Sequence, residues 1–216
     1  MKVEIWSDIG CPFCYIGKKR FEQALAQYEQ AGQVDVVYRS FELDPNAPRD
    51  YGHGVHEMLA SKYGMSVEQA KEMNAGVIGQ ARELGLAYNM DKVVLTNTFD
   101  AHRLIRLAEQ HGLMQQMAER LFQAYFTDGL HVGDHAVLAD LAEQVGLDRT
   151  EAERMLAGDS FGEQVRADER EAGRLQIRGV PYFVFNRRYA VSGAQSPEAL
   201  LGALRKTAET EGHANA

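Results

Sequence analysis

Cys11-Pro12-Phe13-Cys14 is the stretch whose reading decides the fold. It holds the only two cysteines in 216 residues. The short apolar run before it, Val3-Glu4-Ile5-Trp6, reads as a strand, and the amphipathic stretch from Tyr15 to about Tyr28 reads as a helix. A CxxC set between strand and helix has the layout of a redox dithiol. The helix start gives the chemistry its reason. The first backbone N–H groups of a helix lack intrahelical partners and its dipole is positive there, so both favour a thiolate at Cys11. Pro12 suits the first helical position because it has no N–H to leave unpaired. A thiolate can attack a disulfide, and a second thiol one turn on can resolve the mixed disulfide. Cys11 is therefore expected to be exposed, with Cys14 shielded one turn into the helix.

Two other uses of the pair are weaker. A structural disulfide here would close a two-residue loop and cross-link almost nothing. Half of a zinc site would need two histidines to complete it. His53-Gly54-Val55-His56 and His131-Val132-Gly133-Asp134-His135 have ligand-like spacing, but both contain glycine and the second spans a helix N-cap signal at Asp134. No metal is expected. The net charge of −8 argues against a nucleic-acid partner, and no apolar run is long enough to span a membrane. The first strand begins at Val3, which leaves no room for a signal peptide if Met1 is the natural start. That implies a cytoplasmic protein, where cysteine pairs are usually catalytic or redox-sensing.

The rest of the chain supplies a mixed α/β layout. Residues 34–41 alternate as a second strand, and Asp44-Pro45-Asn46-Ala47-Pro48 breaks the pattern. From about residue 54 to 158 the sequence reads as helices only. Ser66-Val67-Glu68-Gln69 has the form of a capping box, as does Asp148-Arg149-Thr150-Glu151 with Asp in place of Ser. Gly85-Leu86, Gly112-Leu113 and Gly146-Leu147 read as Schellman-type stops. Met117, Leu121, Phe122, Tyr125 and Phe126 form one apolar helical face, and Val137, Leu138, Leu141, Ala142 and Val145 another. Strand signals return at Tyr182-Phe183-Val184-Phe185 and at 188–192, joined by a turn at Asn186-Arg187. Ser196-Pro197-Glu198 starts a last helix, and the polar tail from Glu209 to Ala216 is expected to fray. The early strand-helix-strand unit should be parallel and the late hairpin antiparallel.

With these residues the chain resembles the thioredoxin fold, and within it the DsbA-like oxidoreductases. It looks most like the FrnE-type branch, described as dithiol–disulfide isomerases. The resemblance rests on Asp8-Ile9-Gly10-Cys11-Pro12-Phe13-Cys14-Tyr15-Ile16-Gly17, Phe41-Glu42-Leu43-Asp44-Pro45, the run from Asn97 to Leu104, Gly179-Val180-Pro181-Tyr182-Phe183-Val184, and Gly193-Ala194-Gln195. It implies a thioredoxin-like mixed β-sheet with a large all-helical insertion. Residues 1–50 and 159–210 would form the discontinuous thioredoxin-like domain and residues 51–158 the helical domain covering the thiols. It implies that Cys11 is the nucleophile, Cys14 the resolving thiol, and Pro181 a cis-proline facing them. Pro12, Phe13 and Val180 would contact substrate.

The resemblance also points to a thiol–disulfide oxidoreductase or isomerase acting on a thiol- or disulfide-containing protein or small molecule. It needs no bound cofactor. With no further cysteine pair in the chain, an external thiol such as glutathione or thioredoxin must recycle it. Phe13 replaces the histidine of the strongly oxidising DsbA motif and cannot donate a hydrogen bond to a thiolate. The expected reduction potential is therefore roughly −150 to −250 mV, between the DsbA and thioredoxin values. Glutathione-dependent isomerases and transferases of the hydroxychromene-carboxylate and kappa types share the fold and the Asn97–Leu104 likeness. They carry serine where this chain has Cys11 and have no use for Cys14. A non-enzymatic peptide-binding or chaperone module is the third reading. His102, Asp100 and Arg103 are not assigned to catalysis. His102 reads either as a residue brought near the active site by its motif or as a helix-face histidine satisfied by packing or solvent, and the other two as an ordinary exposed pair worth under about 1 kcal/mol. Trp6 is expected in the core.

Overall fold

The computed structural model describes residues 1–214. Strands β1 (Lys2–Ser7) and β2 (Asp35–Ser40) flank helix α1 (Pro12–Ala26) and pair in parallel, with Val3 opposite Val36 and Ile5 opposite Tyr38. Strands β3 (Tyr182–Phe185) and β4 (Tyr189–Ser192) form the late hairpin. β3 pairs antiparallel with β1, which gives one four-stranded mixed sheet in the order β2-β1-β3-β4. The hairpin loop is three residues long, Asn186 to Arg188, so β4 starts one residue later than the sequence pattern indicates. Asn186 and Arg187 both take positive φ, which brings the chain round, and Asn186 is tied to β1 through both its amide and its side-chain oxygen.

As the central strand, β1 is covered on both faces. Val3 and Ile5 share one face with Phe183 and Phe185, where Phe21 of α1 packs on both phenylalanines. Trp6 points the other way into a cluster with Ala172, Ile177 and Val184, and its indole N–H donates to the Asp168 carbonyl. Trp6 is thus the core residue the sequence indicates.

Between β2 and β3 the chain is helical: α2 (Val55–Tyr63), α3 (Val67–Glu83), α4 (Phe99–Gln110), α5 (Met114–Gln123), α6 (His135–Gln144), α7 (Arg149–Ala157) and α8 (Gly162–Arg174). The capping signals are realised. Ser66 and Gln69 exchange both bonds of a capping box, and Asp148 accepts from the Glu151 amide. Gly85, Gly112 and Gly146 have φ of 76°, 71° and 96°, and each following leucine amide bonds back to the last turn. Only a residue without Cβ enters that region cheaply. A wide π-helical turn, Ala124–Asp128, extends α5 and is not signalled in the sequence. It keeps Tyr125 and Phe126 buried beside the thiol helix. Helix α9 (Pro197–Ala214) closes the fold. The tail expected to fray from Glu209 is helical to Ala214, and its last two residues lie outside those described.

Arg103 corrects an expectation. It is 4% exposed rather than a surface residue. Besides Asp100, it donates to the backbone carbonyls of Met155, Gly158 and Ser160, fastening α4 to the α7–α8 connection. Among the described residues, no helix is long and apolar enough to cross a membrane.

Candidate active site

Helix α1 begins at the motif itself. Cys11 is its N-cap in extended conformation (φ −98°, ψ 113°), and Pro12 occupies the first turn. The Cys11 amide bonds to the Asp8 carbonyl at 3.1 Å and the Cys14 amide to the Cys11 carbonyl at 3.0 Å, so the two thiols stand one turn apart at the helix N-terminus. The Val180–Pro181 bond is cis. Cys11 Sγ lies 3.5 Å from the Val180 carbonyl oxygen, which accepts from the thiol. Cys11, Cys14, Val180 and Pro181 are therefore brought together from opposite ends of the chain, with Pro12 half-buried and Phe13 40% exposed beside them.

The expectation that Cys11 is exposed does not hold. It is 4% exposed and Cys14 2%. Val180 stands over the Cys11 sulfur. Tyr88, from the connection after α3, bonds the Pro12 carbonyl at 2.7 Å and stacks on Tyr15. Phe13 carries the exposed surface of the motif instead. Burial pushes the Cys14 thiol well above its ordinary value, and the neighbouring Cys11 adds to this, while the Asp8 amide and the Ser7 hydroxyl pull the other way.

Gly17 has a role its motif position did not reveal. A Cβ built there would lie 2.8 Å from Pro181 Cγ. The absence of a side chain is what lets the proline ring sit on α1. Gly17→Ala gains up to about 1 kcal/mol of helix propensity. It must also displace a ring fixed between α1 and the Gly193 amide, which bonds the Pro181 carbonyl at 2.8 Å. Overpacking of that kind costs about 1–3 kcal/mol and outweighs the gain. Urea unfolding should show a net loss of about 1–2 kcal/mol; equal or greater stability would mean the contact is soft.

Asp8 is the buried polar centre behind the thiols. Its carboxylate accepts from Thr98 Oγ1 (2.7 Å), the Leu43 amide (2.8 Å) and the Gly10 amide (3.2 Å). His102 Nε2 lies 3.4 Å from Oδ1 without hydrogen-bond alignment, a charge contact only when the imidazole carries a second proton. Burial works to raise the carboxyl, but His102, the Leu43 amide and the Thr98 hydroxyl outweigh it and hold it below the usual range. Asp8 so joins the motif loop, the segment after β2 and the start of α4. A cavity of about 370 Å³ opens beside it, with Leu43, Tyr51, Met58, Leu95 and Tyr125 among its walls.

Glu42 lies next in this polar layer. Its side chain meets Asn97 and Arg166. Burial, then the adjacent Glu169 carboxyl, push it up to about 7, against the pull of His102 and Arg166. A carboxyl raised from 4.5 to about 7 holds a proton in the folded state that the unfolded chain has given up. Stability must therefore fall as pH rises across that window, and level off above it. Urea unfolding from about pH 5 to 8 should show the decline. Glu169→Gln, which replaces the competing carboxyl with a donor amide, should flatten it. An unchanged slope would place the proton elsewhere.

Sequence reasoning missed the Asp8–Thr98–Leu43 connection, Gly17 and Tyr88. All but Tyr88 fall inside the quoted motifs, and nothing local to them marked a role. Among the described residues no group of three His, Cys, Asp or Glu side chains is placed to hold a metal.

Comparison with known proteins agrees with this geometry. The family model of the DSBA-like thioredoxin domain matches residues 2–205. A probable DsbA oxidoreductase from Streptomyces coelicolor is 45% identical and superposes with a TM-score of 0.92 over 96% of this chain and 89% of its own. Two more distant structures share the fold. A 2-hydroxychromene-2-carboxylate isomerase is 15% identical, with a TM-score of 0.75 over 99% of this chain and 98% of its own. The cytosolic disulfide reductase DsbM from Pseudomonas aeruginosa, solved with glutathione, is 17% identical, with a TM-score of 0.68 over 97% of this chain and all of its own. A CxxC at the start of α1, a cis-proline against it, and a match across nearly the whole chain make this protein a member of the DsbA-like thioredoxin-domain family.

Proposed function

We propose that this protein is a thiol–disulfide oxidoreductase or isomerase that exchanges disulfides through Cys11 and Cys14. The observation that carries the reading is the pairing of two cysteines, one at a helix N-cap and one a turn inside, with the Val180 carbonyl 3.5 Å from the first. Cys11 attacks a substrate disulfide and forms a mixed disulfide. Cys14 then attacks Cys11 Sγ, closing the protein disulfide and releasing substrate as a thiol. The oxidised pair is returned by an external thiol. The Val180 backbone, placed beside Cys11, suits an extended substrate segment laid along it. The cavity by Asp8 is within the size range of small-ligand sites, about 300–1,000 Å³, and gives a substrate side chain or small thiol a place to sit.

The fold shared with the chromene-carboxylate isomerase, together with that cavity, supports a glutathione-dependent isomerase as the second reading. Cys14 separates the two, because a resolving thiol serves disulfide exchange and not isomerisation of a carbon skeleton. The test is to mix reduced protein with a disulfide-bonded peptide and count the thiols released, comparing wild type with Cys14→Ala. Wild type should release two thiols per protein molecule consumed, and Cys14→Ala one, with the other half of the peptide retained as an adduct. Equal stoichiometry without an adduct would refute the assignment.

Phe13→His gives a further check. A ring nitrogen able to donate toward the Cys11 thiolate stabilises the reduced form. The potential measured in glutathione buffers should rise, each 30 mV corresponding to about 1.4 kcal/mol. An unchanged or lower potential would mean that residue 13 does not reach the thiolate.

A further inference from the structure

Cys14 must lose a proton to attack, yet it is buried where a thiolate is disfavoured. Glu4, the acid of β1, lies on the opposite face of that strand from Ser7 and is held by Arg39 and Arg187. Ser7 continues the inward row of Val3 and Ile5, and its hydroxyl stands beside the Cys14 sulfur. No aligned hydrogen bond satisfies Ser7 Oγ, and none satisfies His102 Nε2, although both atoms are buried. Two such orphans in one place call for an explanation, because a buried polar atom is costly to leave unpaired and is seldom left so. Both residues line the same small cavity, of about 10 Å³, whose other walls include Ile9, Tyr38, Ile105 and Phe122. About 10–15 Å³ is the space one water needs, and a water there would have both orphans as partners.

We propose that Ser7, one water in this cavity and His102 form a proton path that deprotonates Cys14 during resolution, with Asp8 holding the resulting imidazolium. The proposal rests on the reading of Cys11 and Cys14 as an exchanging pair. The proton passes from Cys14 to Ser7 as Ser7 gives its own to the water and the water gives one to His102 Nε2. The Cys14 sulfur then bonds to Cys11 Sγ. The bond from Cys11 to the substrate sulfur breaks, and its electron pair leaves with that sulfur, which takes a proton from solvent. The two protein thiols are oxidised and the substrate disulfide is reduced. Ser7 touches a reacting atom, whereas His102 acts through it. The other ionisable groups facing this path are Tyr38 from β2 and Glu42 beyond it, while the Arg39 guanidinium, whose residue also borders the cavity, is held by Glu4 and Asp168. Asp8, 3.4 Å from Nε2, is the anion that balances the proton gained.

The test is a single-turnover experiment with reduced protein and a fluorescent disulfide peptide, resolving mixed-disulfide formation from its resolution by Cys14. The first phase is the internal reference. Ser7→Ala and His102→Gln should each slow the second phase about ten-fold near pH 6.5, modest for loss of a proton-transfer group, and the gap should close by about pH 9 as solvent base takes over. The double variant should be no slower than the slower single one, since both break the same path. Ser7→Thr, which keeps the hydroxyl, should keep the wild-type pH profile, and this pair decides the matter if His102→Gln does not fold. A wild-type pH profile for the second phase in Ser7→Ala would overturn the path even if the melting temperature falls. Absence of a first phase in the wild type would instead overturn the exchange reading, and the path with it.

Discussion

Cys11→Ser should reduce disulfide exchange by at least about a thousand-fold, since removing the nucleophile of a covalent mechanism commonly costs more than that. A hydroxyl is not appreciably ionised near neutral pH and cannot form the mixed disulfide. The fold should survive, because oxygen is the smaller atom and the main contact of Sγ, the Val180 carbonyl at 3.5 Å, can still accept from a hydroxyl. Initial rates against a disulfide-bonded peptide, read beside a thermal melt, check both halves. Residual exchange within ten-fold of wild type would mean that Cys14 is the attacking thiol. Its burial, and the upward push this gives its thiol, argue against that role.

The second large effect is on stability. Asp8→Ala should destabilise the fold by about 3–5 kcal/mol, the usual result of breaking a buried charged contact by deleting one partner. The deletion leaves Thr98 Oγ1, the Leu43 amide and His102 facing a space with no acceptor. It also frees the Gly10 amide, and with it the turn that sets Cys11 at the head of α1. Acid should produce the same loss gradually. A carboxylate held below the usual range stabilises the fold above its unfolded value and loses that contribution as pH falls through the folded one. Urea unfolding of wild type and Asp8→Ala should therefore converge as the pH drops below about 4. A difference under about 1 kcal/mol at neutral pH would show that water replaces the missing carboxylate.

The parts of this structure that were legible in the sequence have local signatures. Alternation marked β2, short apolar and aromatic runs marked the other strands, the three Gly-Leu stops marked helix ends, and CxxC marked the start of α1. The family motifs added Pro181, which no local pattern distinguishes from an ordinary strand-start proline. What was not legible depends on contacts between distant segments. Asp8 and Thr98 are 90 positions apart, and neither residue type indicates that the other will be its partner. Arg103 reads as a surface residue because helix periodicity does not show that three carbonyls from the end of α7 and the turn after it will converge on it. Cys11 was expected at the surface because its position in the motif says nothing of Tyr88, which arrives from the far end of α3.

The central claim is that Cys11 attacks and Cys14 resolves. It is tested most directly by incubating Cys14→Ala and Cys11→Ser separately with a disulfide-bonded peptide and weighing the intact proteins. The account requires a stable peptide adduct on Cys14→Ala, cleaved by reductant and mapped to Cys11, and little or none on Cys11→Ser. An adduct that forms as fast on Cys11→Ser, or fails to form on Cys14→Ala, would contradict it.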